Sequence, residues 1–190
     1  MTCIVGLVHD GTVYMGADSA AVQGWTTRPS QTAKMFRVGA FLIAYCGSYR
    51  MGQILQYHLT VRSQEVTESD EQYVVVGLVE AVRECLKTYG FIKIDSNNEQ
   101  LPDASFLVGY HGRLYSIGNE MQVVETMDGY TADGVGREYA LGALAALADT
   151  PPRPRLFQAL EVTARFSNGV CGPFYVETLE GVSTHNGVTR

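Results

Sequence analysis

Apolar residues along this chain switch between a period of two and a period near 3.6, and the order of those switches limits the folds open to it. The opening residues alternate between two faces up to His9, break at Asp10-Gly11 and resume through Thr12-Val13-Tyr14-Met15, which reads as a hairpin starting at the first residue. A second strand pair runs from Lys34 to Val38 and from Ala40 to Tyr45, divided at Gly39 and closed by Cys46-Gly47-Ser48. From Tyr49 the spacing is helical, with Met51, Ile54, Leu55, His58 and Leu59 on one face. Asp70 to Tyr89 predicts a second helix that stops at Gly90. Ser69 and Asp70 are its capping candidates, so the acidic cluster from Glu65 to Glu71 reads as a solvated helix start. Ala104 to Tyr110 and Leu114 to Ile117 form another hairpin about His111-Gly112, and strand from Val123 to Thr131 precedes Gly134-Val135-Gly136; a second sheet is implied here. Tyr139 to Ala148 is rich in alanine and leucine, Pro151 to Pro154 interrupts it, and helical spacing returns from Leu156 to Phe166 before a last strand from Pro173 to Leu179.

The order is therefore strands, two helices, strands, two helices, strand. Neither helix pair can bury its stripe alone, and each sheet has an apolar face to cover. The economical packing is an α/β fold in which two antiparallel sheets lie face to face with a helix layer outside each, a four-layer αββα sandwich. With 190 residues, 46% of them hydrophobic and 18% charged, the chain can build a sizeable core. The stretch from Asp95 to Pro102 reads as an exposed loop, and no linker divides the chain, so residues 1–190 are expected to form a single domain.

Charge narrows the function classes. The net charge is −6, and Lys and Arg are scattered rather than gathered into the basic stripe that neutralises phosphates, which argues against nucleic acid. Cys3, Cys46, Cys85 and Cys171 lie far apart without CxxC spacing and read as free cytosolic thiols. The start has no basic segment followed by a long apolar one, and no stretch approaches the ~20 apolar residues of a membrane span, so a cytoplasmic protein with no membrane contact is expected. His9, His58, His111 and His185 show no ligand spacing, and neither a metal nor a cofactor is assigned. Gly134-Val135-Gly136 lacks the Gly-Lys-Ser/Thr of a phosphate loop.

The second residue carries the chemistry. A threonine hydroxyl is a poor nucleophile without a base beside it, and an N-terminal threonine brings its own base in the α-amino group, whose reference pKa is ~8. Methionine followed by small Thr2 suits removal of the initiator. Such a site also needs a cation to favour the neutral amine and a carboxylate to hold that cation, for which Lys34 and Asp18 are candidates. Gly47, at a strand end, can offer a backbone N–H to a developing oxyanion.

Thr2-x-Ile4-Val5-Gly6, Asp10-Gly11, Gly16-Ala17-Asp18-Ser19, Gly24, Lys34 and Cys46-Gly47-Ser48 together resemble, in order and interval, the first quarter of proteasome β subunits and of the bacterial peptidase HslV. The likeness recurs in Gly134-Val135-Gly136-x-x-Tyr139-Ala140 and in the last helix and strand. It implies an N-terminal nucleophile (Ntn) hydrolase in which Thr2 is nucleophile and base, Lys34 tunes it, Asp18 orients Lys34, and the Gly47 N–H receives the oxyanion. It further implies a threonine endopeptidase acting on peptides or unfolded proteins, built as homo-oligomeric stacked rings and served by an ATP-dependent unfoldase or gating partner. The substrate strand would add to backbone near Val22 and Gly47.

The chain departs from the family at the supports of the threonine amine. Val135 stands where a serine is usual between the two glycines, and Asn168-Gly169-Val170-Cys171-Gly172 replaces an Asp-x-x-Ser-Gly turn. Asn168 still hydrogen-bonds and Cys171 is a weak donor, whereas valine does neither. Ser19-Ala20-Ala21-Val22 also lacks the family's arginine and threonine, which bears on specificity. Two alternatives therefore stand beside the peptidase: a non-catalytic ring subunit or scaffold, and a small-molecule amidase on the same fold. Cys3 as nucleophile is disfavoured, because strand alternation turns it to the face opposite Thr2 and a start there shortens both intervals by one residue.

Overall fold

The first hairpin forms as its pattern predicts, β1 (Cys3–His9) and β2 (Thr12–Ala17) pairing about Asp10-Gly11. The structure, a computed structural model, describes residues 1–95, 98–100 and 104–181. After β2 comes a feature the periodicity did not reveal, a two-stranded ribbon of β3 (Ala20–Gln23) and β4 (Thr26–Pro29). All of β4 is exposed, and Trp25, the chain's one tryptophan, stands fully exposed at the ribbon tip. β5 (Met35–Val38) and β6 (Phe41–Cys46) follow, then α1 (Tyr49–His58).

The helix expected from Asp70 is a continuous rod: α2 (Asp70–Gln72), a π-helical turn (Tyr73–Leu78) and α3 (Val79–Thr88). In the wide turn the Val79 N–H reaches back to Val74 O, five residues away, and a Cβ on Gly77 would fall 2.6 Å from the Tyr73 ring. The Ser69 side chain accepts the Gln72 N–H, as its capping role predicts. Part of the stretch expected as a loop pairs instead, β7 (Lys93–Asp95) with β8 (Asn98–Gln100); the exposure expected for 95–102 lies outside the described residues.

β9 (Ser105–Tyr110) and β10 (Arg113–Ile117) form the expected hairpin. The strand expected over Val123 to Thr131 is two short strands, β11 (Val123–Glu125) and β12 (Tyr130–Gly134), separated by the turn at Asp128-Gly129 and committed to different sheets. α4 (Arg137–Ala146), α5 (Pro152–Phe166) and β13 (Tyr175–Glu180) complete the chain. Pro151 to Pro154 does not delay α5: Pro152 and Pro154 occupy its first turn, where the missing N–H has no intrahelical partner to lose.

The strands form a four-stranded sheet ordered β12-β1-β2-β13 and a five-stranded sheet ordered β11-β10-β9-β6-β5, antiparallel throughout. The second sheet thus begins with β5 and β6, not with Ala104 as expected: two hairpins adjacent in sequence go to opposite sheets. Periodicity could not assign them because both faces of both sheets are buried. Along β6, Phe41, Ile43 and Tyr45 pack outward with α1 and α3, whereas Leu42, Ala44 and Cys46 meet the other sheet. Along β1, Cys3, Val5 and Leu7 face α4 and α5, and Ile4 faces inward. Three apolar layers therefore separate helices, sheet, sheet and helices, and the four-layer αββα sandwich is the observed architecture.

Leu160 on α5 is fully buried and lies close over Gly16 of β2. Leu160→Ala is expected to cost about 2–5 kcal/mol of unfolding free energy, measured by denaturant titration followed by far-UV circular dichroism; a loss below about 1 kcal/mol would show that the outer helix layer is not packed as described.

Candidate active site

Thr2 precedes the first residue of β1, so the sheet fixes it from one side. It is 3% exposed. Cys3 pairs with Gly134 at the end of β12, and there the neighbouring backbone passes so near that a Cβ on Gly134 would fall 2.1 Å from Thr2 O and 2.7 Å from Cys46 Sγ. Gly136 is equally constrained: a Cβ would fall 2.6 Å from Thr163 Cγ2. Both glycines also have positive φ, +93° and +85°, which side chains disfavour. Gly134 thus marks a close crossing of backbones beside Thr2, Gly136 packs under the side chains of Thr163 and Ser167, and Val135 between the glycines is exposed.

Asp18 lies one residue after the end of β2 in the four-stranded sheet, and Lys34 one residue before the start of β5 in the five-stranded sheet. Both are essentially inaccessible, and Lys34 Nζ donates to Asp18 Oδ1 at 2.8 Å. The same oxygen accepts the Cys3 N–H at 2.9 Å, Oδ2 accepts the Ala20 N–H at 2.8 Å, and the Asp18 N–H donates to Cys3 O at 3.1 Å. The carboxylate is thereby tied to both sheets, to the ribbon and to the residue next to Thr2. The ammonium also lies over the Tyr49 ring, 5.7 Å from its centroid. Burial and the nearby Asp18 charge push the Tyr49 hydroxyl above its usual range, although a contact with Ser30 acts the other way.

Gly47 follows the last residue of β6, and Ser48 caps α1 by accepting the Arg50 N–H at 3.1 Å. The predicted oxyanion donor therefore stands one residue ahead of a helix N-terminus, where the aligned peptide dipoles favour negative charge. Thr2 Oγ1 donates to Met1 O at 2.6 Å, and the Met1 side chain lies over Gly169, where a Cβ would fall 2.6 Å from Met1 Cβ and Sδ.

The turn after α5 enters the site through its carbonyls. Asn168 is exposed, and its carbonyl accepts Thr27 Oγ1 at 3.3 Å. Cys171 is half-buried, and its carbonyl accepts the Ser19 N–H at 3.0 Å and the Ser19 hydroxyl at 3.2 Å. Val22, half-buried on β3, lines a cavity of about 400 Å³ with Ala21, Gln23, Thr26, Arg28 and Tyr49. Cys3 points away from Thr2 into the layer under α4 and α5, where burial first, and then the Asp18 charge, push its thiol up to about 12. Sequence reasoning missed Ser19, Tyr49, Thr163 and Ser167. Ser19 was adjacent to a predicted residue, but the others carry no local signal, since chain folding alone brings them to the site.

No family model and no curated protein sequence matches the chain. Solved structures do. BPH from Thiobacillus denitrificans, solved in complex with epoxomicin, aligns with TM-score 0.79 at 19% identity, covering 94% of this chain and 98% of that one. Eukaryotic HslV from Trypanosoma brucei aligns with TM-score 0.68 at 21% identity over 94% and 99%, and Anbu, an ancestral beta-subunit from Yersinia bercovieri, with 0.65 at 16% over 94% and 82%. At such identities the likeness shows the fold. The proteasome-like Ntn-hydrolase fold expected from the opening quarter is the fold of this chain.

Lys34→Met leaves the Asp18 carboxylate buried with its counter-charge gone. It is expected to cost about 3–5 kcal/mol in urea denaturation, and a loss under about 1 kcal/mol would show that water reaches the pair.

Proposed function

We propose that this chain is a threonine-type endopeptidase whose nucleophile is Thr2 after Met1 has left. One observation carries the reading: a fully buried Lys34–Asp18 pair is bonded through a single carboxylate oxygen to the amide of Cys3, immediately beside Thr2. A buried ion pair is weak evidence for stability, since replacing it with apolar packing is often neutral. A fixed positive charge beside a candidate nucleophile serves chemistry better than it serves folding.

Removal of Met1 takes away the carbonyl to which Thr2 Oγ1 now donates, freeing the hydroxyl. The new α-amine accepts the hydroxyl proton while Oγ1 attacks the substrate carbonyl carbon. The Lys34 ammonium favours the neutral amine and the incipient alkoxide, and Asp18 holds it there. Charge on the carbonyl oxygen is received by the Gly47 N–H, backed by the α1 N-terminus. The proton held on the amine passes to the leaving nitrogen, the C–N bond breaks, and an ester on Thr2 remains for water to hydrolyse.

The substrate is a peptide or an unfolded protein. Its strand adds to the edge of the ribbon at β3, with Val22 on one side and Gly47 on the other. Residues 1–190 act as one Ntn-hydrolase domain, and the chain assembles into homo-oligomeric stacked rings supplied by an ATP-dependent unfoldase or gating partner. The fold shared with HslV and with a protein described as a beta-subunit supports the ring reading; a native mass equal to one chain at micromolar concentration would overturn it. A non-catalytic ring subunit is the second reading, favoured by Val135, which offers no hydrogen-bonding group, and by the exposed position of Asn168.

An acylating β-lactone and epoxomicin, the compound bound to BPH, separate the two readings. Intact mass of a chain confirmed to begin at Thr2 is expected to show the β-lactone acyl group on that residue, and cleavage of a fluorogenic peptide amide is expected to be blocked by epoxomicin. Thr2→Ala is expected to abolish both cleavage and labelling. Cys3→Ala is expected to keep most of the activity, because a thiol pushed up to about 12 holds almost no thiolate at neutral pH. A processed chain that neither labels nor cleaves supports the non-catalytic subunit.

A further inference from the structure

Buried hydroxyls without a hydrogen-bond partner are uncommon in folded proteins, and Ser167 carries one. The residue is 7% exposed, and its Oγ has no partner among the described residues. Its backbone is well satisfied: as the C-cap of α5 it donates its N–H to Thr163 O, and its carbonyl accepts the Val170 N–H at 3.2 Å. Ser167 therefore opens the tight turn that closes the site. Thr27 and Ser19 hold that turn on one side through the carbonyls of Asn168 and Cys171. On the other side the Ser167 side chain packs on Gly136, where a Cβ would lie 3.1 Å from Ser167 Cβ and 3.3 Å from Oγ. Gly169, in the middle of the turn, lies under Met1. The unpaired hydroxyl thus stands in the same tight turn as the glycine that Met1 covers, and packs against the Gly134-Val135-Gly136 run that passes beside Thr2.

While Met1 is attached, the nitrogen of Thr2 is an amide with a single N–H. Its release creates a primary amine with at least two, in a site where Asp18 is already engaged by the Cys3 N–H, the Ala20 N–H and Lys34 Nζ. Val135, on the crossing loop beside Thr2, has no acceptor on its side chain. We propose that Ser167 is a positioning residue for the α-amino group of processed Thr2, its hydroxyl accepting an N–H that does not exist until Met1 is removed. The hydroxyl lacks a partner in the Met1-bearing chain because its partner is made by processing. The inference rests on the Met1 removal assumed in the proposed function and not on peptide cleavage.

The test compares two forms of the full chain, one retaining Met1 through expression with methionine aminopeptidase inhibited, the other released from a cleavable fusion so that it starts at Thr2. Ser167→Ala is expected to leave the Tm of the Met1 form unchanged or to raise it, and to lower the Tm of the processed form. In the processed form, ¹⁵N NMR of the Thr2 amine is expected to show its titration midpoint falling by about half a pH unit or more, the size of one lost hydrogen bond to the ammonium. Equal Tm changes in both forms with an unmoved amine titration would overturn the proposal and leave Ser167 a packing residue. If the titration moves in a processed chain that cleaves no peptide, the peptidase reading fails and this one stands; if peptide is cleaved and Ser167→Ala moves neither quantity, the reverse holds.

Discussion

One carboxylate organises this molecule. Asp18 lies at the end of β2 in the four-stranded sheet, holds the first amide of β1, anchors the ribbon through Ala20 and binds the ammonium that leads into β5 of the opposite sheet. An anion so deeply buried is tolerable only when each oxygen is satisfied. Satisfying them here fixes the spacing of the two sheets at the edge where the chain begins. Under the proposed function the same group serves structure and chemistry, because the network holds the amide of Cys3, the neighbour of Thr2.

Much of this was legible in the sequence. Hairpins announced themselves by Asp10-Gly11 and His111-Gly112, both with positive φ at each position, and helices by their stripes and by the Ser69 cap. The order of elements then left few packings. The partnership of Asp18 and Lys34 was implied by the resemblance of the opening quarter, and the structure brings the two side chains together. What was hidden has a common cause. In a four-layer sandwich both faces of each sheet are buried, so alternation shows that a strand exists and not which layer it joins; β5 and β6 were misplaced for that reason. Ser167, Thr163 and Tyr49 reach the site through tertiary packing, and the β3–β4 ribbon carries too few apolar residues to leave a period.

The turn after α5, where the sequence departs from the pattern it otherwise resembles, is anchored to its surroundings largely through backbone. The turn after α5 meets the ribbon and Ser19 through the carbonyls of Asn168 and Cys171, contacts that any residue can make. Close passage at Gly134, where the backbone of Thr2 runs by, is likewise a backbone requirement. A fold specified by where backbones cross is compatible with 16 to 21% identity to neighbours whose overall shape it shares.

The exposed position of Trp25 has an experimental side. Because the only tryptophan stands in solvent at the tip of the ribbon, its emission starts red-shifted and has little further to move when the sandwich unfolds. Fluorescence of this protein is therefore a poor gauge of the core and a selective gauge of the ribbon. Quenching or a blue shift under native conditions would mark the moment when something settles on that tip, with no label attached.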